Sequence, residues 1–446
     1  MNDLWSGLSA PVQDGLWLLL ILLPAVVTGV LVLRSLRPWP LVRAMLWRFR
    51  GPNLLFVLLI AVAVGLGIGL LAQERGLRAG TAAAADKFDL IVAAPGSEVT
   101  MLFASVYLQP SDVGLLSGTI YDEVATHPEV ALAAPLGFGD SYAGAPVVGT
   151  IADFVTYLSD GAIEGRMFET STEAIAGAFA PVGLGERFEP AHGTGDVALD
   201  ADNAHAHAGA SFTVVGRMAP TGTPWDRALI VPIEAVWEVH GLANGHAPGP
   251  DGAGAHDRIG PPFDAAYFPG TPAIVVRSEA LWSNYALRSA FTRDAETMAF
   301  FPGAVLAQLY RVMGDVRQAM SVMALVTQVL VAASVLVGLL ILTRLFRRQL
   351  ALLRALGAPA RFVFAVVWSY AATLLACGAV LGLAVGWLAA ALLSRVLSER
   401  TDILVTAPLA WPELHAVAGF LSVATLLSLL PGLSMRRLPI VEALRS

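Results

Sequence analysis

Charge is scarce in this sequence. Only 14% of its 446 residues are Asp, Glu, Lys or Arg, and 56% are hydrophobic, whereas soluble proteins carry about 25% charged residues. This composition excludes an ordinary soluble protein. The net charge of -7 also argues against a nucleic-acid partner, because phosphate binding requires a basic surface.

Lysine and cysteine each occur once. Lys87 lies in ADKFDL without a glycine loop before it, which excludes a standard phosphate-binding loop of the form G-x-x-x-x-G-K-[ST]. The G-x-S-x-G and H-E-x-x-H motifs of hydrolases are missing too. The single Cys377 forms no intrachain disulfide. We therefore expect a chain that is not an enzyme, has no cofactor of its own and is held together by packing.

Long apolar runs are missing from the middle of the chain, between about Gln73 and Arg317, but occur at both ends. A helix that crosses a bilayer needs about 20 predominantly apolar residues. The sequence therefore predicts five spans, at Leu16–Leu33, Leu54–Ala72, Met320–Thr343, Phe362–Leu393 and Ala416–Leu433.

The first span is not preceded by basic residues. Only Asp3 and Asp14 carry charge before it, whereas a cleaved signal peptide begins with a basic segment. We therefore expect this span to be retained.

Arginines gather on one side of the predicted spans. Basic residues near span ends are typical of the cytoplasmic side, so we expect the N-terminus and the middle domain outside the cytoplasm and the C-terminus inside it. The arginines concerned are Arg34, Arg37, Arg43, Arg48 and Arg50 after span one, Arg344, Arg347, Arg348, Arg354 and Arg361 after span three, and Arg436, Arg437 and Arg445 after span five.

The middle of the chain reads as a mixed α/β domain. Short β-branched and apolar runs predict strands, and apolar residues at helical spacing predict helices. The predicted strands are Leu90–Ala94, Ala145–Ile151, Phe212–Arg217, Ala228–Val231 and Ala273–Arg277, and the predicted helices are Ile233–Val239, Leu281–Phe291 and Pro302–Met313.

Two short amphipathic helices are predicted on the cytoplasmic side. In RRQLALLRALGAPARFV, residues 347–363, four leucines (Leu350, Leu352, Leu353 and Leu356) occupy one side and three arginines (Arg347, Arg348 and Arg354) the other, while Gly357 and Pro359 signal the helix end. The second helix is LVRAMLWRFR, Leu41–Arg50. Such helices either lie flat on anionic lipid or contact a partner protein.

These segments resemble FtsX-like permeases, the MacB-type transmembrane subunits of ABC transporters. RRQLALLRALGAPARFV is similar to the family's cytoplasmic loop, RRLPIVEALRS (residues 436–446) to its C-terminal ending, and LWRFRGPNLLFVLLIAVAVGLGIG to its first core helix. FDLIVAAPGSEVTMLFASVYL and ALIVPIEAVWEVHG resemble stretches of its exported domain. The family core has four spans, so Leu16–Leu33 is an addition.

The resemblance implies a fold: a membrane α-helical bundle of four core transmembrane helices plus one extra N-terminal span, with a large inserted extracytoplasmic α/β domain. The corresponding segments are residues 1–53 for the first span and amphipathic helix, 54–72 for a transmembrane helix, 73–318 for the extracytoplasmic domain, and 319–446 for three transmembrane helices, a coupling helix at 347–357 and a cytoplasmic tail.

The resemblance also implies partners. Permeases of this family pair with each other, here most simply as a homodimer, in the bacterial inner membrane. They sit on two separate ATPase subunits that supply ATP and magnesium, and a periplasmic substrate-binding or adaptor protein is a further expected partner. The expected ATPase-coupling residues are Arg347, Arg348, Leu350, Leu353, Arg354, Leu356 and Gly357.

Histidines cluster in the loop-rich part of the middle domain. His192 is one of six there, and the H-x-H spacing in NAHAHAG can present two imidazoles together, which suits zinc. Solvated loop histidines, or a face that titrates near neutral pH, are the alternatives. The candidate zinc ligands are His205, His207, His240, His246 and His256.

Three functions follow from these observations. The first is ATP-driven export or extraction of a lipoprotein, peptide or lipid-like substrate. The second is zinc handling by the histidine loops. The third is a signalling module that transmits ATPase strokes to an extracytoplasmic partner.

Overall fold

The structure is a computed structural model. It describes residues 7–109, 113–192, 210–248, 258–280, 282–293, 295–312, 347–401 and 406–430, together with scattered positions between 318 and 341. The chain divides into two compact units. The membrane unit comprises Met1–Leu77, Gly314–Val396 and Thr406–Ser446, and the inserted unit comprises Arg78–Met313 with Leu397–Val405.

The membrane unit is helical. Among the described residues, three helices are long and apolar enough to cross a membrane: Ala10–Leu33, Arg50–Ala85 and Ala360–Val396. They correspond to the first, second and fourth predicted spans. The third, Met320–Thr343, is described only in part, and its described positions are helical. The predicted span Ala416–Leu433 overlaps the helix Trp411–Leu427, and residues 431–433 lie outside the described residues.

We number the helices of the membrane unit by their order in the chain. They are α1 (Ala10–Leu33), α2 (Trp39–Arg48), α3 (Arg50–Ala85), α10 (Arg347–Ala355), α11 (Ala360–Thr401) and α12 (Trp411–Leu427). The numbers α4 to α9 belong to the inserted unit.

Helices α3 and α11 meet along a seam of small residues. The spacing G-x-x-x-G-x-x-x-G-x-x-x-A runs from Gly378 to Ala390. A Cβ atom on Gly382 would lie 2.8 Å from the Val64 Cβ, and one on Gly386 would lie 2.6 Å from the Gly65 carbonyl oxygen. Small residues let membrane helices approach closely enough for extensive van der Waals contact. The seam therefore requires glycine.

The additional first helix packs against the last. His415 Nε2 lies 2.9 Å from the Asp14 carbonyl oxygen, and the Ser422 hydroxyl donates to the carbonyl of Ile21. The Trp368 indole N–H donates to the Thr425 carbonyl at 3.1 Å, and a Cβ atom on Gly29 of α1 would lie 3.3 Å from its ring. Helix α1 thus joins the bundle through α12 and α11.

Among the described residues, the inserted unit contains 11 strands: β1 (Leu90–Ala93), β2 (Val130–Tyr142), β3 (Ala145–Thr150), β4 (Ile163–Gly165), β5 (Glu173–Ala176), β6 (Arg187–Phe188), β7 (Ala191–His192), β8 (Phe212–Met218), β9 (Leu229–Pro232), β10 (Ala273–Ser278) and β11 (Met298–Phe300). They form one mixed sheet in the order β11-β1-β10-β2-β3-β9-β5-β8-β4, with β6 paired to β8 and β7 to β2.

Short helices cover this sheet: α4 (Glu98–Ser105), α5 (Gly118–Ala125), α6 (Ala152–Leu158), α7 (Ile233–Val239), α8 (Ser283–Ala290) and α9 (Pro302–Val312). The main core lies between them and the sheet. It contains Trp225, Phe154 and Phe291, all with 1% or less of their surface exposed.

All five predicted strands and all three predicted helices of this unit are present; the helix Ile233–Val239 has the predicted ends, and no other end is shifted by more than two residues. The sequence does not predict β2, the longest of the described strands, nor the short strands β4, β5, β6, β7 and β11. The β2 sequence VALAAPLGFGDSY contains Pro135 and two glycines, which weaken a strand prediction. Tertiary pairing with β10 and β3 nevertheless holds it in the sheet.

Candidate functional site

The candidate coupling helix α10 ends in a defined turn. At its end, the Leu356 N–H donates a hydrogen bond to the Leu352 carbonyl and the Ala358 N–H donates one to the Leu353 carbonyl, each at 3.0 Å. Gly357 adopts a φ of 96°, a conformation that costs glycine little and other residues more. Helix α11 begins three residues later, so α10 is a short, sharply bounded element.

The inner side of α10 is fixed to the bundle. Leu350 and Ala351 are 2% and 3% exposed, and Leu353 is partly buried against the same cluster. The cluster combines α2, α10 and the start of α11, with Val42 and Val366 fully buried. Both predicted amphipathic helices therefore share one apolar core.

The outer side of α10 is open in the described part of the chain. Leu356 is 84% exposed, Leu352 is 48% exposed, and Arg348 is exposed as well. The prediction that the four leucines form one face is wrong, because Leu350 and Leu353 point inward while Leu352 and Leu356 do not. Leu350 and Leu353 thus form a packed pair, whereas Arg348, Leu352 and Leu356 form an exposed set.

A buried polar contact stabilises the arrangement of helices around α10. The Tyr370 hydroxyl donates to Asn53 Oδ1, and Asn53 Nδ2 donates to the Leu46 carbonyl at 3.0 Å. Asn53 is 5% and Tyr370 3% exposed. Because an unsatisfied polar group costs free energy in an apolar surrounding, this pair holds α2, α3 and α11 in one arrangement. Sequence reasoning missed it, since Asn53 is a single polar residue before a long apolar run.

Two of the five candidate metal ligands lie in the described part of the chain. His240 is exposed, and its Nδ1 lies 2.7 Å from the Val236 carbonyl oxygen. His246 is 2% exposed, so the interpretation as a solvated loop histidine is wrong for this residue. Among the described residues, no three His, Cys, Asp or Glu side chains form a group that could hold a metal. His205, His207 and His256 lie outside the described residues.

His246 faces a buried carboxyl group instead. Its Nε2 lies 3.5 Å from Glu234 Oε1, and Glu234 is 1% exposed. The Gly260 amide donates to the same Oε1 atom, while within the described chain Glu234 Oε2 and His246 Nε2 have no hydrogen-bond partner. Phe263 and Trp237 pack beside the pair.

Burial sets the protonation of this pair. Burial raises the pKa of Glu234 to about 7, although amide hydrogen bonds partly oppose it and the nearby Glu238 adds to the rise. Burial also lowers the pKa of His246, and the positive charge of Arg258 lowers it further. Both shifts favour the neutral forms. The carboxyl group is therefore mostly protonated below about pH 7, and the imidazole stays neutral to lower pH than an ordinary histidine does.

The fold and these sites define a class: a membrane protein with a large inserted α/β domain and a basic amphipathic helix between apolar helices. Residues 321–440 match the family model of the FtsX-like permease C-terminal domain, which confirms the resemblance found in the sequence. The matched residues include α10 and all seven predicted coupling residues.

One solved structure is similar to about half of this chain. It is the periplasmic region of MacB from Actinobacillus actinomycetemcomitans, which has 10% sequence identity over 51% of this chain and 94% of that chain, with a TM-score of 0.29. A search of curated proteins finds no match.

Proposed function

We propose that this chain is the transmembrane subunit of an ABC transporter and that a separate cytoplasmic ATPase drives it. The family match over residues 321–440 supports the permease assignment. The observation that carries the coupling proposal is the exposure of Leu352 on the outer side of α10 and of Leu356 in the turn that follows it, next to a helix whose inner side is anchored. An anchored helix passes a force to the bundle instead of bending away.

The exposed set also fits a protein contact chemically. Large apolar side chains beside an arginine are typical of the centre of an interface, and Leu356 lies next to the rigid turn at Gly357. The ATPase would supply ATP and magnesium, because the only lysine, Lys87, is not part of a phosphate-binding loop. In this proposal two copies of the chain pair, and ATP-driven movement reaches the inserted domain to export or extract a lipoprotein, peptide or lipid-like substrate.

The test is co-purification of the full chain with its ATPase after Leu356→Glu. We expect loss of the complex and of stimulated ATP hydrolysis, since a charge would be buried in the contact. The matched control is Leu184→Glu, which alters a 48% exposed leucine of the inserted unit and should leave the complex intact. A stable, active complex carrying Leu356→Glu would contradict the proposal.

Metal handling is the second candidate, and the Glu234–His246 pair is the observation that favours it. An imidazole nitrogen and a carboxylate oxygen 3.5 Å apart, each residue with an unpartnered buried atom within the described chain, are groups that zinc accepts. Zinc titration of the full chain by calorimetry should then give binding that His246→Gln weakens. A separate variant, His205→Ala with His207→Ala, tests the other predicted ligands, and no measurable heat in the parent chain would remove this candidate.

A further inference from the structure

Helix α2 carries an alternating row of aromatic and basic side chains on its outer side. Trp39, Arg43 and Trp47 follow each other at four-residue spacing, which places them on one face of a helix. Trp39 is 55% and Trp47 75% exposed, and Arg43 is exposed as well. Arg50, the first residue of α3, places its guanidinium carbon 5.9 Å from the centre of the Trp47 ring. We call these four residues the outer row.

The opposite side of α2 cannot turn outward to cover this row. Val42 is fully buried, and Met45 and Leu46 pack against the cluster shared with α10 and α11. The Leu46 carbonyl accepts a hydrogen bond from Asn53, which fixes the end of the helix. The outer row is therefore held in place and left uncovered by the described part of the chain.

Charge identifies the sign of the partner. No acidic residue occurs between Asp14 and Glu74, whereas this interval contains five arginines. All five are exposed, and none forms an ion pair with another residue that the structure describes. They are Arg34, Arg37, Arg43, Arg48 and Arg50. An anionic partner would supply the missing charge.

The position of the row identifies the kind of partner. Helix α2 begins six residues after α1 ends and finishes two residues before α3 begins, and both neighbours are long and apolar enough to cross a bilayer. Tryptophan favours the membrane–water interface, where its ring is apolar and its N–H remains hydrated. Arginine fits phosphate through paired N–H donors. A surface that offers both groups at the end of a membrane span matches the phosphates of lipid headgroups.

We propose that the outer row binds the headgroup phosphates of anionic phospholipids. The two indoles lie at the headgroup level, and Arg43 and Arg50 contact the phosphates. This site is independent of the ATPase contact on α10, so failure of one proposal leaves the other standing.

The test uses the full chain in nanodiscs made from an equal mixture of phosphatidylglycerol and phosphatidylcholine. After extraction, native mass spectrometry measures how much of each lipid stays bound. The parent chain should retain phosphatidylglycerol preferentially, and Arg43→Gln with Arg50→Gln should reduce this preference, by about fivefold for each arginine if both act as surface charges. Retention unchanged in the double variant would overturn the proposal.

Two further variants separate binding from folding. Arg395→Gln removes an exposed arginine from the far end of α11 and should leave lipid retention unchanged. Arg43→Lys with Arg50→Lys keeps the charge but lacks the paired donors, so it should restore part of the preference. If the lysine variant behaves like the glutamine variant although both run as folded protein on size exclusion, bulk charge attraction is not the cause and the headgroup assignment fails.

The remaining experiments distinguish lipid headgroups from other partners. Inorganic phosphate and sodium chloride at matched ionic strength should release the lipid equally; release by phosphate alone would indicate a free-anion site and overturn the lipid assignment. Loss of the ATPase from the glutamine variant with unchanged lipid retention would assign the row to a protein contact instead.

Discussion

At the scale of single residues, the Glu234–His246 pair shows how burial gives a loop-rich region titratable chemistry. The raised pKa of Glu234, about 7 against an ordinary 4.5, means that the folded state holds a proton the unfolded state releases. The stability from this group is fully present below about pH 4.5 and is lost as pH rises through about 7. His246, with a lowered pKa, acts oppositely: its contribution is present above its ordinary value of 6.5 and is lost as pH falls.

The first prediction for single residues follows from the loss of the Glu234 contribution to stability as pH rises. Glu234→Gln removes the titration but keeps an acceptor for the Gly260 amide. Relative to the parent chain, the variant should gain local stability as pH rises from about 5 to 8, by up to roughly 3 kcal/mol. Hydrogen exchange of residues 229–246 in the full chain measures this difference. Glu164→Gln, at an exposed strand position, should show no such trend. If the local stability of Glu234→Gln changed with pH in the same way as that of the parent chain, the raised pKa of Glu234 would be refuted.

The second residue-scale prediction separates the two sides of α10. Leu350→Ala should lower the stability of the purified chain by about 2–5 kcal/mol, because it leaves a cavity in a packed cluster. Leu356→Ala should change stability by less than about 0.5 kcal/mol, since the side chain is 84% exposed. Thermal unfolding in detergent compares the two variants. Equal shifts would show that Leu356 is packed in solution and cannot serve as a free contact residue.

At the scale of elements, the seam between α3 and α11 decides how closely two membrane helices approach. Gly386→Ala should separate them, because the added Cβ would meet the Gly65 carbonyl oxygen at 2.6 Å. We expect a lower melting temperature in detergent. Gly51→Ala is the matched control: it makes the same exchange in the first turn of α3 with no atom within 4 Å and should not lower the melting temperature. A Gly386→Ala protein as stable as the control would mean that the seam does not form.

Elements also explain the extra first helix. Its hydrogen bonds to α12 come from polar side chains, His415 and Ser422, that donate to or contact backbone carbonyls of α1. Every residue of α1 offers a backbone carbonyl, so these hydrogen bonds do not depend on which side chain α1 carries at that position. The sequence of α1 therefore gives little sign of them. A retained span is what the sequence predicts, and its partner is what the fold adds.

At the scale of the whole molecule, the distribution of arginine predicts which side of the membrane each segment faces. Cys377 is the only cysteine, so a Cys377→Ser background permits single introduced cysteines. A membrane-impermeant thiol reagent should label Phe179→Cys, in the inserted unit, from the outside of intact spheroplasts, and should label Leu356→Cys only after lysis. Both native side chains are more than half exposed, so accessibility to solvent is matched. Labelling of Leu356→Cys in intact cells would reverse the orientation.

The sequence alone determined the three apolar spans that the structure describes in full, the inserted α/β domain with five of its described strands, the amphipathic helices and the family resemblance. These features depend on local composition and periodicity, which each segment carries within itself. It did not determine β2, whose proline and glycines weaken a local strand signal, nor the inward turn of Leu350 and Leu353, nor the meeting of Glu234 with His246.

Those three outcomes depend on partners distant in sequence. The strands β10 and β3 supply the hydrogen bonds of β2, α2 and α11 select which leucines are buried, and the packing around Phe263 brings an imidazole to a carboxyl group. Burial, and with it every shifted pKa and every exposed contact surface, is a property of packed elements, so only the tertiary structure decided it.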